Sequence, residues 1–174
     1  MLKVMPRYQT DRPDISGWFL DYEGRFYHDL VSKIENGIVV EIGNWHGLSL
    51  SYVVEVCAQQ NNKIYAVDKF HCTEFLKNFK NWPQNTVELI TMSSAEASLK
   101  FDDASIDLVF IDANHEYNSV HADINAWMPK IKKEGIISGH DYCLAWPGVI
   151  KVVDSLLPNR KIQDRIWYCK LEGI

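Results

Sequence analysis

The stretch Ile38-Val39-Val40-Glu41-Ile42-Gly43-Asn44-Trp45-His46-Gly47 decides how the rest of this chain is read. A short apolar run carrying an acid breaks at a glycine. Beyond the turn, Leu48, Tyr52, Val53, Val56 and Cys57 fall on one helical face. That pattern is a strand buried on both faces, a tight turn, and the helix that crosses back over a parallel sheet. Glycine lets backbone approach a ligand closely, and a helix start offers N–H groups without internal partners. Glu41 and the turn therefore read as one end of a nucleoside-containing pocket. The plainer alternative is an ordinary strand–turn–helix with incidental glycines.

Working outward, Lys63–Asp68 is a second apolar run ending in an acid, and Asp68 lies 25 positions after Gly43. Near that spacing a βαβ unit places a carboxylate on a ribose hydroxyl, with a strand-capping Asp as the competing reading. Thr86–Met92 reads as a third strand, and Ser93-Ser94-Ala95-Glu96 as the capped start of a helix reaching about Lys100. Residues 71–84 read as a helix stopped by Pro83. The clearest strand, Ile106–Ile111, runs into Asp112-Ala113-Asn114-His115-Glu116. The next helix places Tyr117, Val120, Ile124, Trp127, Met128 and Ile131 on one stripe, with Pro129 imposing a kink or an early end. Lys133-Glu134-Gly135 reads as a turn into a short fifth strand, Ile136–Ser138, followed by Gly139-His140-Asp141-Tyr142. A helix over Val149–Leu157 and two final strands within Lys161–Leu171, expected to be antiparallel, close the chain.

Strands alternating with helices predict an α/β fold: one Rossmann-like domain, its twisted sheet mainly parallel, with helices on both faces. Residues 1–36 are expected to form an arm (1–13) and a helical segment from Asp14 to Glu35, interrupted by Gly17 and Gly24, and residues 37–174 the core. Ligands in such sheets sit at the carboxyl ends of the strands. Glu41, Asp68, Ser93, Asp112, His140 and Asp141 all fall there.

At 174 residues the chain suits one domain, and 47% hydrophobic and 24% charged residues are ordinary for a globular protein. A net charge of −5 gives no support to general nucleic-acid binding. Cys57, Cys72, Cys143 and Cys169 show no C-x-x-C spacing and are expected to be free thiols in a reducing compartment. With no long apolar leader and no run of membrane-spanning length, the expectation is a cytoplasmic protein without membrane association.

The motifs Val40–Ser49, Tyr65-Ala66-Val67-Asp68, Ser93-Ser94-Ala95, Phe110–Tyr117 and Gly139-His140-Asp141-Tyr142 together resemble the class I S-adenosylmethionine-dependent methyltransferases. The likeness is strongest to the branch of cephalosporin-hydroxylase-like and macrocin-type O-methyltransferases. It runs from about residue 37 to 157. The Asp-x-x-His-x-Tyr segment followed by Gly-His-Asp-Tyr carries most of its specificity. The resemblance implies that Glu41, Gly43, Asn44, Trp45, Gly47 and Ser49 hold the methionine and ribose parts of S-adenosylmethionine. It implies further that Asp68 takes the ribose hydroxyls and that Ser93, Ser94 and Ala95 border the adenine. Asp112, also a cofactor neighbour, and Asp141 match positions that bind Mg2+ in metal-dependent relatives, and His115 matches a histidine proposed there as the base. One position departs. Where those relatives often carry a second acid before the last aspartate, this chain has His140, so the metal is a weakened Mg2+ site, another divalent cation with His140 as a ligand, or none.

The chemistry agrees with that assignment. Methyl transfer from a sulfonium needs alignment and removal of a proton, and a histidine or a carboxylate-held cation can assist with a hydroxyl. The expected activity is methylation of a hydroxyl on a small molecule or sugar. The alternatives are a metal-free N-methyltransferase and a non-catalytic nucleoside-binding domain. An incomplete G-x-G-x-x-G disfavours a nicotinamide enzyme. Trp18, Tyr22, Phe26 and Trp146 read as an aromatic lid or as core, and a homo-oligomer stays open.

Overall fold

A computed structural model describes residues 14–172; the expected arm over residues 1–13 lies outside them. Seven strands form one sheet: β1 Ile38–Ile42, β2 Lys63–Asp68, β3 Val87–Thr91, β4 Ile106–Ile111, β5 Ile131–Gly139, β6 Lys161–Gln163 and β7 Ile166–Lys170. Their order is β3-β2-β1-β4-β5-β7-β6. The first five run parallel, and β7 is antiparallel to both β5 and β6, as the sequence predicts.

The strand order reverses between β1 and β4, which is where an open α/β sheet leaves a crevice for ligands. Backbone bonds continue past the strand ends there: Gly43 N donates to Val67 O (2.9 Å), Asp112 N to Ile42 O (2.8 Å) and His140 N to Ile111 O (3.0 Å). Each turn that carries a candidate residue is thus tied to the neighbouring strand.

One core layer packs α1 (Asp21–Val31), α2 (Leu48–Ser51), α3 (Val54–Gln59) and α4 (Thr73–Phe79) on the sheet, through Tyr27, Leu30, Leu50, Cys57 and Phe75. The other packs α5 (Ser94–Ser98), α6 (Tyr117–Trp127) and α7 (Pro147–Leu156) through Ala97, Ile124, Trp127 and Val152. Burial on both faces explains why the central strands read as apolar runs without alternation.

Several boundaries differ from the sequence expectation. The first helix starts at Asp21, not Asp14, because Leu20 is extended and its N–H is capped by Glu23 Oε2 at 2.7 Å. Gly24 does not break it. A Cβ there would press into the Tyr52 ring, so the missing side chain lets α1 sit close to the core. The helix expected after Gly47 is split into α2 and α3 around Tyr52-Val53. Met128–Lys130 forms a 3-10 turn around Pro129, and Ile131 opens β5 instead of extending the helical stripe. Strand β5 is longer than Ile136–Ser138. Its first half has an irregular register against β4, with Glu134 at φ 67°, which hides the strand behind a turn-like Lys-Glu-Gly sequence. All four cysteines are free. No helix among the described residues is long and apolar enough to cross a membrane.

Candidate active site

A cleft of about 910 Å³ opens over the carboxyl ends of β1, β2, β4 and β5. It is lined by Gly43, Asn44, Trp45, Ser49, Asp68, Ser93, Ser94, Ala95, Asp112, His115, His140 and Asp141. Two of the residues picked from the sequence, Glu41 and Gly47, do not line it. A smaller hollow of about 460 Å³ beside Tyr65 and Phe101, at the β3 edge, holds none of them.

On the β1–β2 side the turn is built by backbone. Gly43 has φ +84°, and a Cβ there would collide with the backbone of Asp112 and Ala113. The position therefore needs glycine for both conformation and approach. Asp68 braces the turn: Oδ2 accepts from Asn44 N at 2.8 Å and Oδ1 from Phe70 N at 3.2 Å. The strand-capping reading of Asp68 is thus realised. Each oxygen keeps a further lone pair, so the ribose reading remains compatible with it.

Glu41 lies beneath the turn with 0% exposure. Its Oε1 accepts from Ser49 Oγ (2.7 Å) and Asn44 Nδ2 (3.3 Å), while Oε2 and the nearby Tyr27 hydroxyl lack well-formed hydrogen bonds. Burial pushes its pKa up to about 8 despite the lowering effect of Ser49 and Asn44, so it is mostly protonated at neutral pH. It holds Ser49 and Asn44 in place from below.

The β4–β5 side is charged. His115 Nε2 lies 3.0 Å from Asp141 Oδ2 and 3.6 Å from Asp112 Oδ1. Burial favours the neutral ring, but the two carboxylates outweigh it and raise His115 to about 9. Burial would likewise raise Asp141; His115 and His140 overcome it and hold the carboxyl well below the usual range. Asp141 also has backbone φ 59°, a left-handed conformation that costs a non-glycine residue energy and is tolerated at sites where direction matters.

His140 sits behind the two aspartates. Its Nδ1 lies 3.7 Å from Asp112 and 3.6 Å from Asp141, and its Nε2 3.2 Å from Glu23 Oε1. Arg165, just before β7, donates Nε and NH2 to Glu23 at 2.7 and 2.9 Å, reaches the Trp18 carbonyl at 3.2 Å and approaches Asp141 at 3.8 Å. Sequence reasoning missed Glu23 and Arg165, because only the fold brings positions 142 apart together.

Asp112, His115 and Asp141 offer ligand atoms within 4.8 Å of one another, and His140 is not part of that group. That group holds His115 where the sequence reading had placed His140, whose Nδ1 lies 3.6 to 3.7 Å from the same two carboxylates. His115 Nε2 makes no well-angled hydrogen bond and meets Asp141 Oδ2 only as an ion pair at 3.0 Å. Two carboxylates and one imidazole suit Mn2+, Fe2+ or Zn2+, and Mg2+ with added water. A second group with the same spacing, His46, Cys72 and Glu74, lies by the turn, where Cys72 Sγ already caps α4.

The mouth of the cleft is aromatic. Trp18, 72% exposed, stacks on Trp45 (centroids 4.8 Å), which stacks on His46 (4.1 Å). Trp146 lies 4.4 Å from the His115 ring and Phe19 4.9 Å from that of His140. Of the four aromatics proposed as a lid, Trp18 and Trp146 line the cleft; Phe26 packs instead on Tyr168, and Tyr22 does not line it.

The profile of a family described as a methyltransferase domain matches residues 40–142, which include every turn described above except the Arg165 one. An uncharacterised Sinorhizobium fredii protein, y4gI, is 27% identical over 131 residues, 68% of this chain but only 14% of that protein's length. Among solved structures, a SAM-dependent O-methyltransferase from Thermotoga maritima superposes with a TM-score of 0.70 at 13% identity, over 91% of this chain and 68% of that one. The MycE methyltransferase of the mycinamycin pathway, solved with Mg and SAH, gives 0.66 at 15% identity over 91% of this chain and 53% of its own. At such identities the likeness establishes the fold.

Proposed function

Since the chain belongs to this methyltransferase-domain family, we propose that it binds S-adenosylmethionine and methylates a hydroxyl group of a small molecule or sugar with the help of a divalent cation. The observation that carries the reading is the meeting, in one cleft, of a glycine turn braced by Asp68 with the Asp112–His115–Asp141 group. When bound, S-adenosylmethionine supplies an electrophilic methyl group on a sulfonium. Gly43, Asn44, Trp45 and Ser49 cradle its methionine end, with Glu41 and Gly47 shaping that cradle from outside the cleft, and Asp68 takes the ribose hydroxyls. Ser93, Ser94 and Ala95 border the base.

Asp112 and Asp141 hold the cation and orient the acceptor hydroxyl, and His115 accepts its proton. The acceptor enters at the aromatic mouth, where Trp146 stands beside His115. Facing the two carboxylates alone, His115 has its pKa raised to about 9, which favours the protonated ring over the base form. Asp112 and Asp141 would hold a cation whose charge would offset theirs on His115, which supports the metal-assisted form. A second reading, favoured by the close grouping, makes His115 a ligand, with the hydroxyl losing its proton directly to water.

Calorimetric titration with S-adenosylmethionine and S-adenosylhomocysteine, with and without Mg2+ and Mn2+, tests this. Micromolar binding lost in Asp68→Ala supports the cofactor, and a metal response lost in Asp141→Ala supports the cation. Binding of neither cofactor form sinks the methyltransferase reading. Cofactor binding with chelator-resistant turnover on an amine would favour N-methylation.

A further inference from the structure

A second set of ligating side chains, sharing no residue with the Asp112 group, gathers where the turn after β1 meets the start of α4. His46, Cys72 and Glu74 each offer one ligand atom, and those atoms all lie within 4.8 Å of one another. His46 and Cys72 are half-buried and line the cleft, while Glu74 is exposed. A tetrahedral cation with bonds of about 2.0–2.3 Å keeps its ligands about 3.3–3.7 Å apart, so the three need to close up by only about an ångström. Glu74, long and exposed, can make most of that movement by changing rotamer.

Local contacts already hold two of the three. His46 Nδ1 lies 2.6 Å from Ser16 Oγ, its ring stacks on Trp45 with centroids 4.1 Å apart, and its carbonyl accepts from Asn78 Nδ2 at 2.9 Å. A ligating histidine usually has its other ring nitrogen held in this way, which sets the direction of the ring. Cys72 Sγ accepts from Phe75 N at 3.4 Å and donates to Trp45 O at 3.3 Å. The first of these bonds is one that a metal-bound thiolate keeps. The proton in the second is the one that a cation displaces, since thiols ligate only after losing it.

We propose that His46, Cys72 and Glu74 bind a thiophilic divalent cation, Zn2+ foremost, with water in the fourth position, and that the ion ties the turn after β1 to the start of α4 at the rim of the cleft. The donor set decides the class of ion. A thiolate beside an imidazole suits Zn2+ and Co2+ and makes a poor site for Mg2+ or Ca2+, which take oxygen ligands. It differs in this from the Asp112 group, whose two carboxylates also admit Mg2+. The assignment does not depend on the cofactor reading above.

Co2+ is the probe, because its bond to a thiolate gives an ultraviolet charge-transfer band that carboxylate and imidazole ligands do not. Wild-type protein, stripped with a chelator and kept reduced with a phosphine, should develop the band on titration with Co2+. Added Zn2+ should abolish the band and excess Mg2+ should leave it. Cys72→Ser, which keeps an oxygen to cap α4, should lose the band. His46→Gln should weaken Co2+ binding by at least about tenfold. Cys143→Ser, at the half-buried thiol two residues past Asp141, should keep the band. In hydrogen exchange, Zn2+ should slow the amides of both the turn after β1 and the start of α4 in wild type, and of neither in Cys72→Ser. Thermal melting checks that the variants fold, and the wild-type band with its response to Zn2+ and Mg2+ stands as a test without them. The site is overturned by the absence of a band, by a band that Mg2+ removes, or by one that follows Cys143 instead of Cys72. Exchange slowed on one side only, or on neither, overturns the tie.

Discussion

The two sides of the cleft solve the same problem of burying polar groups in opposite ways. The β1–β2 side uses backbone, the Asp68 carboxylate that braces the turn, and one buried acid: Glu41 is fully buried, raised to about 8, and held by Ser49 and Asn44. The β4–β5 side gathers Glu23, Asp112 and Asp141 against His115, His140 and Arg165, so opposing charges compensate one another. A cradle of backbone with one bracing carboxylate suits recognition. A balanced cluster suits chemistry, because adding a cation or moving one proton changes the charge of the whole group.

If the sides are independent, variants should separate binding from turnover. Asp141→Ala is expected to have the largest effect: methyl transfer reduced about 10³-fold, typical for loss of acid–base or metal assistance, with S-adenosylhomocysteine affinity changed less than about threefold. Parallel loss of both, by calorimetry and a methyl-transfer assay, would break the division.

Glu23→Ala should act on stability. It strands Arg165 and His140 without their shared carboxylate, costing about 3 kcal/mol. At the scale of this chain that lowers Tm by about 6–12 °C, read by calorimetric melting. Asp68→Ala should weaken S-adenosylhomocysteine binding by about 2 kcal/mol, since the turn loses its brace as well as the ribose contact.

The smallest effect is in pH. Glu41 and His115 both have folded pKa values raised above their ordinary ones, so between pH 6.5 and 8 the native state holds protons the unfolded chain releases. The His115 contribution is full below pH 6.5 and lost as pH rises through about 9; that of Glu41 is full below pH 4.5 and lost through about 8. In chelator-treated protein, urea midpoints should fall from pH 6.5 to 9, and less so in His115→Gln. An unchanged pH slope in that variant would show that the charged side does not hold the proton there.

The sheet was legible because its central strands are buried on both faces, which leaves unbroken apolar runs such as Ile106–Ile111. β5 was only half legible, since Lys132, Lys133 and Glu134 lie at its irregular, exposed beginning. Residues at strand ends, Asp68, Asp112 and Asp141 among them, could be placed in the cleft from topology alone. Glu41 could be placed at the strand end, but not turned: only packing against Tyr27 and α2 shows that it points beneath the turn. Glu23, Asp123 and Arg165 reach the site from two helices and a hairpin. No local pattern at those positions distinguishes them from ordinary core or surface residues.

The contact between Glu23 and Arg165 spans 142 positions of sequence, and it lies directly behind the Asp112–His115–Asp141 group. The acidic cluster reaches its final balance of charge only when the closing hairpin arrives to receive α1. The balance of charge around Asp112 and Asp141 thus depends on the last two strands of the sheet, far from the turns that carry those acids.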